Sequence, residues 1–253
     1  MTEAFGVDAS FTNATLNRLL LLKGRSVDLF VQCLWTGAQQ PSVRVTNLRN
    51  AISAGLPVAG YISLNAQNDG RWHMESGRAG IPDDIWDQLK FIAVDVELPG
   101  IQLQNVVSAV GWAISKNKQP IIYTSYNAWR NYVAPGNSSQ LAQANIPLWN
   151  AYWDDHPDVD FPSLQYGGWR PDQVWIEQWS GGTDLEGLYV DRNTFVKEKV
   201  LPAPAPPPTT PAEAYPKAFA IVAGVFTGAA SKALKGETLT ENEKAQIKWL
   251  IGG

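Results

Sequence analysis

Two carboxylates stand two residues apart in FIAVDVELPG, residues 91–100. They are Asp95 and Glu97, at the end of an apolar run and just before a Pro-Gly turn. Phe91, Ile92, Ala93, Val94 and Val96 predict a strand buried on both faces, because β-branched and aromatic side chains suit a packed pleated surface. Side chains alternate along a strand, so Asp95 and Glu97 point the same way with Cα atoms roughly 7 Å apart. Carboxylates on one face repel, and at neutral pH one proton can be shared between them. Such a pair serves a reactive site or is merely a solvated strand end. The rest of the chain decides between the two.

The elements that must position this pair alternate in type. FGVDAS reads as a strand, and NATLNRLLLLKG as a helix closed by a glycine. DLFVQCLW and SVRVTNLRNAISAGL repeat the unit, as do PVAGYISL and a poorer helix around PDDIWDQLK. FIAVDVE is followed by the helical QLQNVVSAVGWAISKN, and QPIIYTS by YNAWRNYV. Five βα units in a row predict a parallel sheet, and at 253 residues a barrel is favoured over a doubly wound sheet. The alternation then stops. IPLWNAYW, QVWIEQWS and LEGLYVD read as three further strands, joined through turns at YGGW and SGGTD. The expected fold class is α/β, a TIM-like barrel of five βα units plus three strands over residues 1–200. A Pro-rich linker over 201–216 and a short helical tail over 217–253 follow. The tail holds AFAIVAGVFTGAA, too short to span a bilayer and read as self-packing, and a capping box from Thr240 to Glu243.

Reactive groups of a βα barrel sit at the C-terminal ends of different strands. Asp8 closes the first strand, Asp95 and Glu97 the fourth, and Asp191 the last. First and last strands adjoin in a closed barrel, so Asp8 and Asp191 should lie together, facing the fourth-strand pair across the mouth. Four convergent carboxylates fit glycoside hydrolysis or a divalent-metal site. Only two histidines exist, His73 and His156, both in loop-like contexts, which argues against zinc. No Gly-rich phosphate loop follows a strand, and no G-x-S-x-G elbow is present. No metal and no cofactor are expected.

Composition narrows the partners. A net charge of −4 and a pI near 5.2 supply no basic field for nucleic acid or an anionic membrane. The single cysteine, Cys33, sits in an apolar stretch and reads as core, with no disulfide framework. The opening MTEAFGVDAS has neither the basic nor the apolar region of a Sec signal, and no stretch is long and apolar enough to span a membrane. Trp35, Trp149, Trp153 and Trp179, among eleven tryptophans, stand where strands end, as flat apolar faces and N–H donors for a ligand would.

Taken in order, G-x-D-x-S (Gly6, Asp8, Ser10), the Asp95-x-Glu97 pair, IIYTS with the following Trp129, LWNAYW and QW…VDRNTF resemble glycoside hydrolase family 25, the muramidase family, from about residue 5 to residue 196. The resemblance implies a flattened barrel and cleavage of the β-1,4 bond after N-acetylmuramic acid in peptidoglycan. It makes Glu97 the general acid and Asp95 its partner, with Asp8 and Asp191 ordering the site. Tyr61, Tyr123, Trp149, Tyr152, Gln178 and Trp179 become the substrate-binding side chains. It further implies a phage-type lysin, made in the cytoplasm and acting on the wall after release through a holin-type partner or as part of a virion. The third strand departs from the family, ending YISLN without a Tyr-His pairing. Two other classes remain open: a non-catalytic glycan-binding or virion-structural barrel, and a hydrolase of another polysaccharide.

Overall fold

A computed structural model describes residues 2–161 and 165–202; the Pro-rich segment beyond 202 and the tail, with its capping box, lie outside the described residues. In chain order the elements are β1 (Glu3–Ala9), α1 (Leu16–Gly24), β2 (Val27–Trp35), α2 (Arg44–Ser53), β3 (Val58–Ser63), α3 (Gly70–Arg78), α4 (Asp83–Trp86) and β4 (Leu89–Asp95). There follow β5 (Ile101–Gln102), α5 (Leu103–Ser115), β6 (Pro120–Thr124), α6 (Tyr126–Asn131), β7 (Val133–Ala134) and α7 (Gln140–Gln143). The last are β8 (Leu148–Ala151), β9 (Val174–Leu185), β10 (Leu188–Val196) and α8 (Lys197–Val200).

Eight strands close a barrel in the order β1-β10-β9-β8-β6-β4-β3-β2, while β5 and β7 pair apart from it. The strands run parallel around the barrel except β10, which is antiparallel to both β9 and β1. Each parallel strand is apolar on two faces because each face meets a different core. In β4, Phe91 and Ala93 point into the barrel beside Leu29, Ile121 and Trp149, while Ile92 and Val94 pack outward. The outer core is supplied by helices such as α5, whose buried residues include Leu103, Val106, Val107 and Val110. Each fully buried side chain of this size contributes about 1.5–3 kcal/mol relative to exposure.

The structure corrects the sequence reading in four places. A helix was expected only around residues 82–90, yet α3 precedes it, capped by Asp69, whose carboxylate accepts the Trp72 N–H at 3.0 Å. His73 therefore lies in a helix and is fully buried, not in a loop. SGGTD is not a turn but part of β9, and the hairpin turns at Glu186 and Gly187, inside the stretch expected to be a strand. Both have positive φ (53° and 74°), as a tight hairpin between right-twisted strands requires. Finally, β10 is antiparallel, so Asp191 reaches the mouth from the first half of its strand, not from its end. Gly167 and Gly168 do form the YGGW turn, and Cys33 is buried. Among the described residues no helix is long and apolar enough to cross a membrane.

Candidate active site

The barrel mouth is a pocket lined by Asp8, Tyr61, Asp95, Glu97, Tyr123, Trp149, Gln178 and Asp191. Pairing register explains the assembly. Asp8 lies opposite Asp191 across the β1–β10 pair, and Asp95 is flanked by Ser63 on β3 and Tyr123 on β6. Trp149 on β8 neighbours Tyr123, and Gln178 on β9 neighbours Ala151. Inward alternation along β4 runs through Phe91, Ala93 and Asp95 and carries on to Glu97, one residue past Val96, whose N–H still bonds the Tyr123 carbonyl at 2.9 Å. Glu97 is thus on the same side as Asp95 but just beyond the strand, at the open lip.

Two side-chain amides organise the carboxylates. The Gln178 oxygen accepts the Tyr123 hydroxyl and the Trp153 indole N–H, each at 2.8 Å. Its NH2 group must then face the acids, and it donates to Asp8 at 2.9 Å and to Asp191 at 3.5 Å. Asn193 is set the same way: its oxygen accepts the Trp149 indole N–H at 2.8 Å, and its NH2 donates to Asp8 at 2.8 Å. Indole nitrogen can only donate, so these two tryptophans fix the orientation of both amides. Asp191 is held by a backbone device. Opposite it the β9 register shifts, with Val190 pairing Thr183 and Arg192 pairing Ser180. Gly181 and Gly182 together stand opposite Asp191 alone, a bulge of one extra residue, and the Gly182 N–H donates to Asp191 at 2.5 Å. Asp95 accepts a short hydrogen bond from the Ser63 hydroxyl.

Every one of the four acids is pushed toward its protonated form. Burial, then repulsion from Asp191, lifts Asp8 to about 7, with the bonds from Asn193 and Gln178 opposing. Burial lifts Asp95 to about 6, tempered by Ser63. Asp191 is raised by burial and restrained by the Gly182 N–H. Glu97 goes furthest, to about 8, through desolvation and then repulsion from Asp95 and Asp191. The mouth therefore combines carboxyls of two kinds: buried or half-buried aspartates clamped by donors, and an accessible glutamic acid that keeps its proton near neutrality.

Eight of the ten side chains expected at the site come together there. Tyr152 and Trp179 do not line the pocket. Tyr152 is exposed beyond β8, tied to Gln178 through its backbone N–H. Trp179 follows Gln178 on β9 and so faces the other side, where its ring meets Phe5 at 6.3 Å beside Pro157 and Thr194. Trp35 likewise packs away from the mouth, against Trp72 and His73. Two participants escaped the site expected from sequence, Ser63 and Asn193, whereas Trp153, expected as a strand-end N–H donor, turns its indole to Gln178. Asn193 was findable, since Asp191-x-Asn193 has the same period-two spacing as Asp95-x-Glu97. Ser63 carries no local signal, as its role comes from a neighbouring strand.

No family model matches the sequence, and no curated protein does. Solved structures do match. The barrel is similar to a family GH25 lysozyme from Aspergillus fumigatus, with TM-score 0.63 and 18% identity over 77% of this chain and 94% of that one. It is similar to the bacterial lysozyme from Streptomyces coelicolor, with TM-score 0.62 and 18% identity over 77% and 93%. It also resembles the CTP1L endolysin, with TM-score 0.59 and 14% identity over 77% and 67%. The eight-stranded α/β barrel of this chain is the fold of the family 25 lysozymes.

Proposed function

We propose that the chain is a peptidoglycan hydrolase, an N-acetylmuramidase that cleaves the β-1,4 bond after N-acetylmuramic acid. The observation that carries this reading is Glu97, an accessible carboxyl held protonated to about pH 8 beside the buried carboxylate Asp95. Glu97 delivers its proton to the glycosidic oxygen as the bond breaks. Asp95, ionised above about 6 and fixed by Ser63, stabilises the positive charge that develops at the anomeric carbon, or polarises the substrate's acetamido group as it attacks there. Asp191 adds to the negative field that keeps the Glu97 proton in place, Asp8 raises its partner carboxyl Asp95, and Tyr61, Tyr123 and Trp149 provide apolar and hydroxyl-bearing walls for a sugar ring. Sharing the fold with lysozymes and an endolysin supports action on the bacterial wall. On this reading the wall is reached through a holin-type pore or from a virion.

Glu97→Gln tests the reading, because an amide cannot deliver the proton. Turbidity loss of purified cell walls should slow by about 10²–10⁴-fold, with the thermal unfolding curve unchanged. Mass spectrometry of wild-type products should show muramic acid at the new reducing ends. Clearance by the Gln variant at the wild-type rate would overturn the assignment. A wild-type protein that binds walls without releasing fragments would instead identify a glycan-binding barrel.

A further inference from the structure

A second acidic constellation lies outside the pocket. Glu177 precedes Gln178 on β9 and so projects from the opposite face of the strand. It is fully buried, yet only one of its oxygens is engaged: Oε2 accepts the Asp160 N–H at 3.1 Å, while Oε1 has no hydrogen-bond partner. Over it runs the loop that leaves β8 through Asp154, Asp155, His156, Pro157 and Asp158. Carboxylate oxygens of Asp158, Asp160 and Glu177 all lie within 4.8 Å of one another. Asp158 Oδ1 is also enclosed without a partner, and no ion pair among the described residues reaches the trio.

A buried carboxylate with an empty acceptor is costly unless something positive meets it. We infer that Asp158, Asp160 and Glu177 form a calcium site that pins the β8–β9 loop to the outside of the barrel. Oxygens this close together can share one hard cation. Calcium tolerates an irregular, partly hydrated shell built on a few carboxylates, whereas magnesium demands a near-ideal octahedron. An all-carboxylate set is hard-cation chemistry, and zinc sites favour nitrogen and sulfur. Asp160 is exposed, so water can complete the coordination shell. The same loop begins with Trp153, whose indole orients Gln178, and its Asp155 N–H bonds the Trp179 carbonyl at 3.1 Å. A cation here therefore steadies one lip of the pocket without entering it.

Full-length protein stripped with chelator and titrated with CaCl2 by calorimetry tests this directly, with thermal unfolding as the second readout. One ion should bind per chain, with a dissociation constant of about 10⁻⁴–10⁻³ M as in extracellular calcium modules. A tenfold excess over that constant should raise the Tm by about 3 °C. Glu177→Gln should fold and lose both responses, and Asp160→Asn, a change at an exposed loop position, should lose them too. Asp191→Asn, which alters the pocket instead, should keep them. No binding by the wild type at 5-fold-higher calcium than about 10⁻³ M, survival of the response in Asp160→Asn, or its loss in Asp191→Asn would each overturn the assignment.

Discussion

Glu97 keeps its proton because of what surrounds it, so changing a neighbour should retune it. Its upward shift comes first from desolvation, then from Asp95 and Asp191. A working site on this reading needs Glu97 protonated and Asp95 ionised, which places the active window between about 6 and about 8, with the limbs belonging to the coupled group. Asp191→Asn removes one repelling charge, so the ionised form of Glu97 becomes easier to reach and its pKa falls. The alkaline limb of the rate-against-pH profile should therefore move to lower pH in that variant, with the acid limb moving less, since Asp95 is raised chiefly by burial and by Asp8. Wild-type and variant profiles measured side by side on purified walls check this. An alkaline limb that stays in place or moves upward would mean that Asp191 does not act on Glu97.

At the scale of elements, what could be read beforehand was whatever obeys a period. The alternation of FIAVDVE placed Asp95 and Glu97 on one side of a strand, and the five βα repeats predicted the closed barrel that brings Asp8 beside Asp191. What could not be read was α3, because its buried face is made of Gly70, His73, Met74 and Gly77. That is helical spacing, but with two glycines and a histidine it carries little hydrophobic signal. Glycine is there for proximity. A Cβ on Gly70 would stand 1.7 Å from the Asn105 carbonyl oxygen and 2.7 Å from the Ala109 nitrogen, both backbone atoms of α5. Backbone cannot swing aside as a side chain can, so Gly70→Ala should destabilise the fold by about 1–3 kcal/mol or more. Gly24, at the end of α1, has nothing within 4 Å of its Cβ position, and Gly24→Ala should be neutral to about 1 kcal/mol stabilising. Urea unfolding of the two variants separates packing from helix propensity. Equal midpoints would show that α3 and α5 can part at no cost. The β9 bulge was unreadable for a related reason: Gly181-Gly182 looks like a turn, and only pairing with β10 turns it into the donor for Asp191.

The molecule as a whole closes at one seam, where the first strand meets the last, and the end of the described chain fastens that seam. Lys197 donates its N–H to the Thr2 carbonyl at 2.8 Å, and Thr2 returns its own N–H to the Glu198 carboxylate at 2.9 and 3.0 Å. Lys199 reaches the Asp172 carbonyl at 2.6 Å, and Val200 is buried with Leu29, Ile176 and Phe195 in the barrel interior. The short helix α8 is therefore part of the barrel, while everything described beyond it ends at Pro202. A chain ending at residue 202 should fold cooperatively with the Tm of the full-length protein, and should cleave purified walls at the same rate. A chain ending at residue 196 loses the Val200 burial, about 1.5–3 kcal/mol, along with the bonds across the seam. Its Tm should fall by about 5 °C or more. Thermal unfolding of both truncations locates the boundary. If the chain ending at 202 were molten, the linker and tail would belong to the folded unit. If it were folded and fully active on purified walls but weak on whole cells, the tail would be acting in delivery and not in the barrel's stability.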